Sequence, residues 1–227
     1  MSIRVVQGEI GAKDVTTRTL IPVVSQARWP PFERVAETIA TPRRLFPPHR
    51  HEGVEVLTYV IEGSGTYAYG PHPAETLVAG ATRLLTAPTP VSHAINPGKG
   101  QTVRWFAVVA SLPASNAAPS RLQSGRAEPT ELQPDGTILR RIAGPGTTLR
   151  SSVGIESEAI EFRSTGATFR KVGHDRVAIC YALSGRGRVD DQVVEGGEAA
   201  LVEQAAGIAL HGQAGFRIVL VHAPRGT

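Results

Sequence analysis

The sequence is short of the residues that staple a fold, cross a membrane or grip a polyanion. It has one cysteine, Cys180, in 227 residues. No intrachain disulfide can form, and a zinc site made of cysteines within one chain is excluded. No run of about 18 apolar residues occurs, so no membrane span is expected. The first residues, Met1-Ser-Ile-Arg-Val-Val-Gln7, lack a basic-then-apolar signal pattern, which makes the cytoplasm the expected compartment. Aromatic residues are only 5%, and the net charge of +4 is spread over arginines that stand singly or in pairs such as Arg43-Arg44 and Arg140-Arg141. No dedicated nucleic-acid surface is expected from that pattern. Helical periodicity is scarce as well. Phe32 to Ala40 fits a short helix, and it fits a strand equally well.

What is present favours a packed all-β chain. Hydrophobic residues are 41% and charged residues 19%, with 24 glycines and 17 prolines. That composition supports a core and many short elements joined by turns. Val54 to Ile61, Val103 to Ala110, Val177 to Leu183, Ala199 to Val202 and Phe216 to Val221 read as strands. Leu112 to Pro134, with Pro113, Ser115, Pro119, Ser120, Ser124, Gly125 and Pro129, is polar and aperiodic. The expected division is an N-terminal lobe over 1–113, a linker over 114–134 and a C-terminal lobe over 135–227. The two halves resemble each other. Thr58–Tyr67 aligns with Cys180–Val189, so that Tyr59 meets Tyr181, Gly63 meets Gly185 and Gly65 meets Gly187. Val78–Ala81 likewise resembles Glu195–Glu198. Each copy reads as strand, Gly-x-Gly turn, strand, which points to a duplicated β-barrel.

Four of the seven histidines lie in the first half, and three of these have a suggestive arrangement. The segment is Phe46-Pro-Pro-His49-Arg-His51-Glu-Gly-Val-Glu55-Val-Leu-Thr-Tyr59. Side chains two apart on a strand share a face. His49, His51 and Glu55 then share one, which Leu57 and Tyr59 continue. Two imidazoles at that spacing can reach one ion, and Glu55 can ligate it, hydrogen-bond a ligand histidine or act as a base. His93 lies on a later strand that barrel closure can bring opposite. Three imidazoles and a carboxylate suit iron, zinc, nickel, copper or manganese, and they leave coordination positions open.

His-x-His-x-x-x-Glu, a glycine turn and then a lone His resembles the two-part cupin motif. More closely, Phe46–Gly63 resembles the signature segment of the pirin family, and Leu85–His93 and Val103–Pro113 resemble its later segments. The resemblance implies a bicupin, two β-barrel (double-stranded β-helix) lobes in one chain, with one divalent transition metal in the N-terminal lobe. Iron is the metal it implies first, with zinc, nickel, manganese or copper as alternatives. His49, His51 and His93 match the family's three histidine ligands. The family's fourth ligand, a Glu two residues after the last His, falls on Ile95. Glu55 would take its place, as in the wider cupin pattern, or three histidines and water would hold the ion. Some members resemble flavonol dioxygenases, which implies a small hydroxylated aromatic or enediol substrate in a pocket lined by Leu57, Tyr59 and Ile95. Others are metal-dependent regulators, which implies a non-catalytic interaction module. The C-terminal lobe is expected to lack metal. There His49, His51 and Glu55 align with Lys171, Gly173 and Val177, and His93 aligns with Leu210. His174 and His211 are out of register and are read as structural. Cys180 is read as a buried, inert thiol, and Ser184–Arg188 as a hairpin turn.

Overall fold

The computed structural model describes residues 1–10, 17–21, 29–43, 45–114, 119–127 and 129–226. Every regular element among them is a strand, Phe32–Ala40 included. Among the described residues no helix is long and apolar enough to cross a membrane. The chain forms two compact units, as the sequence repeat implies.

The first unit comprises Glu9–Arg126 and Thr148–Val153. Its main sheet runs in the order Arg121–Arg126, Ala81–Ala87, Val54–Tyr69, Val103–Ser111, Phe32–Ala40, Thr17–Ile21, Glu9–Ile10. Phe46–His51 and Val91–Pro97 pair with each other, and Val91–Pro97 also pairs with the far end of Val54–Tyr69. The 16-residue strand Val54–Tyr69 therefore serves both sheets. It changes partner at Gly63, whose φ is +83° and where a Cβ would collide with the carbonyl oxygen of Thr102. The expected Gly-x-Gly turn is thus a corner within one strand. Glycine is required there because the backbone is left-handed and a neighbouring chain lies against it. Alternate residues of these strands, among them Val54, Val56, Val60, Tyr67, Leu85, Ile95 and Trp105, form the apolar core.

The second unit comprises Met1–Gly8, Ala127–Thr147 and Gly154–Thr227. One sheet runs Ser2–Gln7, Glu198–Glu203, Arg176–Ser184, Arg217–Pro224, Glu156–Phe162, Thr137–Ala143, Pro129–Leu132. The other runs Gly166–Lys171, Gly207–Gly212, Arg186–Val189, Gln192–Glu195. The Ser184–Arg188 segment is again a corner rather than a hairpin turn, since Arg176–Ser184 and Arg186–Val189 belong to different sheets. Cys180 is fully buried in this unit's core, as read, and burial raises its pKa well above the ordinary thiol value.

The units do not follow the boundaries expected from composition. Within 114–134, Arg121–Arg126 is an edge strand of the first unit and Pro129–Leu132 an edge strand of the second. Edge strands keep one backbone side and much of their side-chain surface in water, so their sequence reads as loop. Each unit also takes a segment from the opposite half of the sequence: Ser2–Gln7 in the second, Thr148–Val153 in the first.

The corner at Gly63 yields a direct test. Gly63→Ala is expected to lower the unfolding free energy by roughly 2–4 kcal/mol, read from urea denaturation midpoints.

Candidate metal centre

Phe46–His51 is a half-exposed strand that pairs with Val91–Pro97, with His49 directly opposite His93. On its other side Val91–Pro97 pairs with the end of Val54–Tyr69, with Tyr67 opposite Ile95 and Tyr69 opposite His93. This double pairing buries His93 to 4% exposure while His49 and His51 stay at the rim. The Nε2 atoms of the three rings converge. His93 Nε2 lies 2.9 Å from His49 Nε2 and 3.0 Å from His51 Nε2. The three residues form the only group of metal-binding side chains found among the described residues.

The hydrogen bond behind His49 sets its tautomer. His49 Nδ1 is 3.1 Å from the carbonyl oxygen of Pro47, which can only accept. The proton therefore sits on Nδ1 and the Nε2 lone pair faces the cluster. His93 Nδ1 is 2.7 Å from the hydroxyl of the buried Tyr67. Burial, with the neighbouring imidazoles as a smaller cause, pushes the His93 pKa down to about 2. Burial pushes His51 down to about 4, helped by His49 and Arg34, and lowers His49 from its ordinary value. Burial also holds the Tyr67 phenol protonated, its pKa well above the usual value.

These residues fit a cation. Ring nitrogens this close are joined either by a proton that one ring donates to the next or by a cation that takes all three lone pairs. Nitrogens each about 2.1 Å from an ion and at right angles to one another stand about 3.0 Å apart, close to the separations found. The adjoining cavity has a volume of about 40 Å³ and is lined by the three histidines, Arg34, Phe46, Val56, Thr58 and Trp105, among others. Thr58 is 1% exposed, and its hydroxyl has no hydrogen-bond partner. A buried hydroxyl without a partner is costly, and a ligand or water on the ion would relieve it.

The structure brings together His49, His51 and His93 and leaves the other expected site residues elsewhere. Glu55 is fully buried and does not join the cluster. Its Oε1 accepts from Thr86 Oγ1 at 2.9 Å and from the Ser152 N–H at 3.0 Å. Its Oε2 accepts from the Ser151 hydroxyl and from the Ser152 N–H. The carboxylate anchors the segment Thr148–Val153, which Gln123 also holds by a two-way bond to the Arg150 backbone. The cause is Gly53, at φ +68° between the two strands. It resets the pleat, so even-numbered Val56 and Thr58 face the cavity in place of Glu55, Leu57 and Tyr59. Leu57 and Tyr59 are buried on the opposite face of the sheet. Ile95 shares the His93 face, as its parity implies, but packs in the apolar core and does not line the cavity.

Three contributors went unread in the sequence: Tyr67, Thr58 and Arg34. Tyr67 is the one with a signal, because it occupies the inward face of the repeat that defines the barrel. The C-terminal counterparts also need correction. Strand pairing matches Leu210–Val189 with Ile95–Tyr67, which places Ile208 at the position of His93 and its partner Arg170 at that of His49. The aligned Leu210 and Lys171 are displaced from those positions by two residues and one residue.

Fold and site together define a bicupin with three convergent imidazoles in one lobe, suited to a divalent cation. Residues 35–149, just over half of the chain, match the AraC-like ligand binding domain, and the chain belongs to that family. Among solved structures, GK1651 from Geobacillus kaustophilus superposes with a TM-score of 0.85 at 20% identity, covering 99% of this chain and 96% of its own. The bacterial pirin YhhW from Escherichia coli, in complex with nickel(II), gives 0.80 at 16%, covering 99% and 100%. Quercetin 2,3-dioxygenase from Acinetobacter baumannii gives 0.83 at 15%, covering 99% and 80%. The pirin-like bicupin architecture read from the motifs is therefore present. No curated protein matches the chain in sequence.

Two tests separate the anchor from the cluster. Glu55→Gln is expected to lose roughly 2–3 kcal/mol of stability in denaturation while retaining metal, whereas His51→Ala should lose metal by elemental analysis and stay folded. In metal-free protein, lowering the pH from 6.5 towards 4 is expected to reduce stability, seen as falling urea midpoints. In that window the unfolded chain protonates histidines that the folded chain keeps neutral, so stability rises with pH.

Proposed function

We propose that the protein is a cytoplasmic bicupin that binds one divalent transition metal through His49, His51 and His93 and uses the open positions of that ion to bind a small oxygen-bearing molecule. The observation that carries the reading is the convergence of three Nε2 atoms, with His93 within 2.9–3.0 Å of the other two. The nickel(II) in the pirin neighbour supports a divalent ion, and the motif resemblance favours iron. A bound metal of this kind supplies Lewis acidity and, if iron, dioxygen activation.

The chain's own residues have definable parts in this. Tyr67 and the Pro47 carbonyl hold His93 and His49 in orientation, and the carbonyl, accepting the His49 Nδ1 proton, raises that ring's basicity as a ligand. Arg34 lines the cavity with a positive charge suited to an ionised hydroxyl or enolate. Thr58 offers a hydroxyl to a ligand oxygen. Phe46, Val56 and Trp105 wall the cavity with apolar surface and restrict water. The dioxygenase reading draws on these features and on the quercetin 2,3-dioxygenase neighbour. A cavity of about 40 Å³ encloses neither a flavonol nor a catechol, so an aromatic or enediol substrate would reach the ion from the rim, where His49 and His51 stand.

The same cavity volume, and the placement of Glu55 away from the ion, favour a second reading. In it the ion stabilises the lobe as part of a non-catalytic regulatory module. Elemental analysis followed by oxygen uptake with catechol, enediol and flavonol panels decides between them. Iron with substrate-dependent oxygen consumption, weakened about tenfold or more in affinity by Thr58→Val without loss of metal, supports the enzyme. Bound metal with no oxygen uptake on any panel member supports the module. Absence of any metal after purification and reconstitution overturns both.

A further inference from the structure

The C-terminal lobe lacks the three histidines, yet the corresponding mouth of its barrel is polar. Leu139, Ile160 and Leu220 belong to its apolar core. Glu158 and His222 each stand two residues from one of these on the same strand, so they face inward as well, and the exposed Arg141 lies at the mouth. Arg170 occupies the pairing position that His49 holds in the other lobe, opposite Ile208. These groups, with Lys171 and Glu156, line a cavity of about 320 Å³, within the range of small-ligand sites.

The lining carries three cations, Arg141, Arg170 and Lys171, against two carboxylates, Glu156 and Glu158, and the charge of Arg170 also acts on the nearby Asp135. Glu156 is taken by Arg176, 3.2 Å away. Glu158 Oε1 is 3.0 Å from Arg170 Nε, and both side chains are 20% exposed. That contact does not form a hydrogen bond, and the buried Nε and Nη2 of Arg170 have no hydrogen-bond partner. Arg141 and Lys171 add two further cations at the rim. Ser157 donates its hydroxyl to the Leu220 carbonyl. His222 Nδ1 accepts from Arg176 Nε at 2.7 Å, and burial lowers the ring's pKa to about 4. The ring is therefore neutral and carries its proton on Nε2, a remaining donor. A guanidinium with two buried nitrogens that lack a hydrogen-bond partner, beside two more cations and a ring N–H, matches an oxyanion that can take two parallel hydrogen bonds.

We propose that the C-terminal lobe is a second ligand site, in which Arg170 stands where the other lobe presents its histidines and binds a small carboxylate or phosphate anion. The site is independent of the metal centre. Isothermal titration calorimetry of the full chain with inorganic phosphate, and separately with succinate, tests it. One-to-one saturable binding of at least one anion is expected. Phosphate alone would indicate a phosphorylated ligand and succinate alone an organic acid. Binding should weaken tenfold or more in Arg170→Gln and several-fold in the rim variant Arg141→Gln. It should tighten several-fold in Glu158→Gln, which removes the competing carboxylate, and it should persist in His93→Ala. If Arg170→Gln does not fold, the opposite shifts in Arg141→Gln and Glu158→Gln carry the test. Failure of both anions to bind, indifference of binding to these variants, or loss of binding in His93→Ala overturns the proposal.

Discussion

A strand shows its side chains to alternate faces, and in the first lobe this alternation is reset at the position that matters most. Gly53 adopts φ +68° between Phe46–His51 and Val54–Tyr69. Ahead of it the odd-numbered His49 and His51 face the interior. Beyond it the even-numbered Val56 and Thr58 do. The contents of the cavity, the exclusion of Glu55 and the burial of Leu57 and Tyr59 on the far face all follow from that single change of phase. A side chain at Gly53 would meet no steric obstacle within 4 Å, so the requirement lies in the backbone conformation alone.

The reset frees Glu55 for another task. A buried carboxylate needs donors, and here Thr86, Ser151 and the Ser152 amide supply them. Two of these come from Thr148–Val153, far along the sequence. The same charge that could have entered the metal site instead fixes a distant segment to the lobe. The three imidazoles are left as an uncharged ligand set, so a divalent ion there keeps its full positive charge and attracts anionic oxygen ligands more strongly than one neutralised by a carboxylate.

Much of the fold was legible from residues alone. Strands rich in β-branched residues, the repeated Gly-x-Gly corner and the absence of helical periodicity lead to a duplicated all-β chain. The histidine cluster was legible because two of its members sit two apart and the third follows in a recognisable order. Glu55 misled because counting parity across residues 52 and 53 assumes a continuous pleat, and a glycine that takes a left-handed φ leaves no mark beyond being glycine. Tyr67 was hidden for another reason: its role depends on cross-strand register, which hairpin geometry sets and single-strand periodicity does not contain. The sequence alignment of the lobes likewise slipped against strand pairing, because loops of different length separate the matching strands. That slip concealed Arg170 at the place of His49.

The strand Ser2–Gln7 pairs with Glu198–Glu203. About two hundred residues of chain separate the two, so Ser2–Gln7 is made long before the strand that satisfies its backbone groups. Until then it must stay unpaired, and open to chaperones or to a mispaired neighbour.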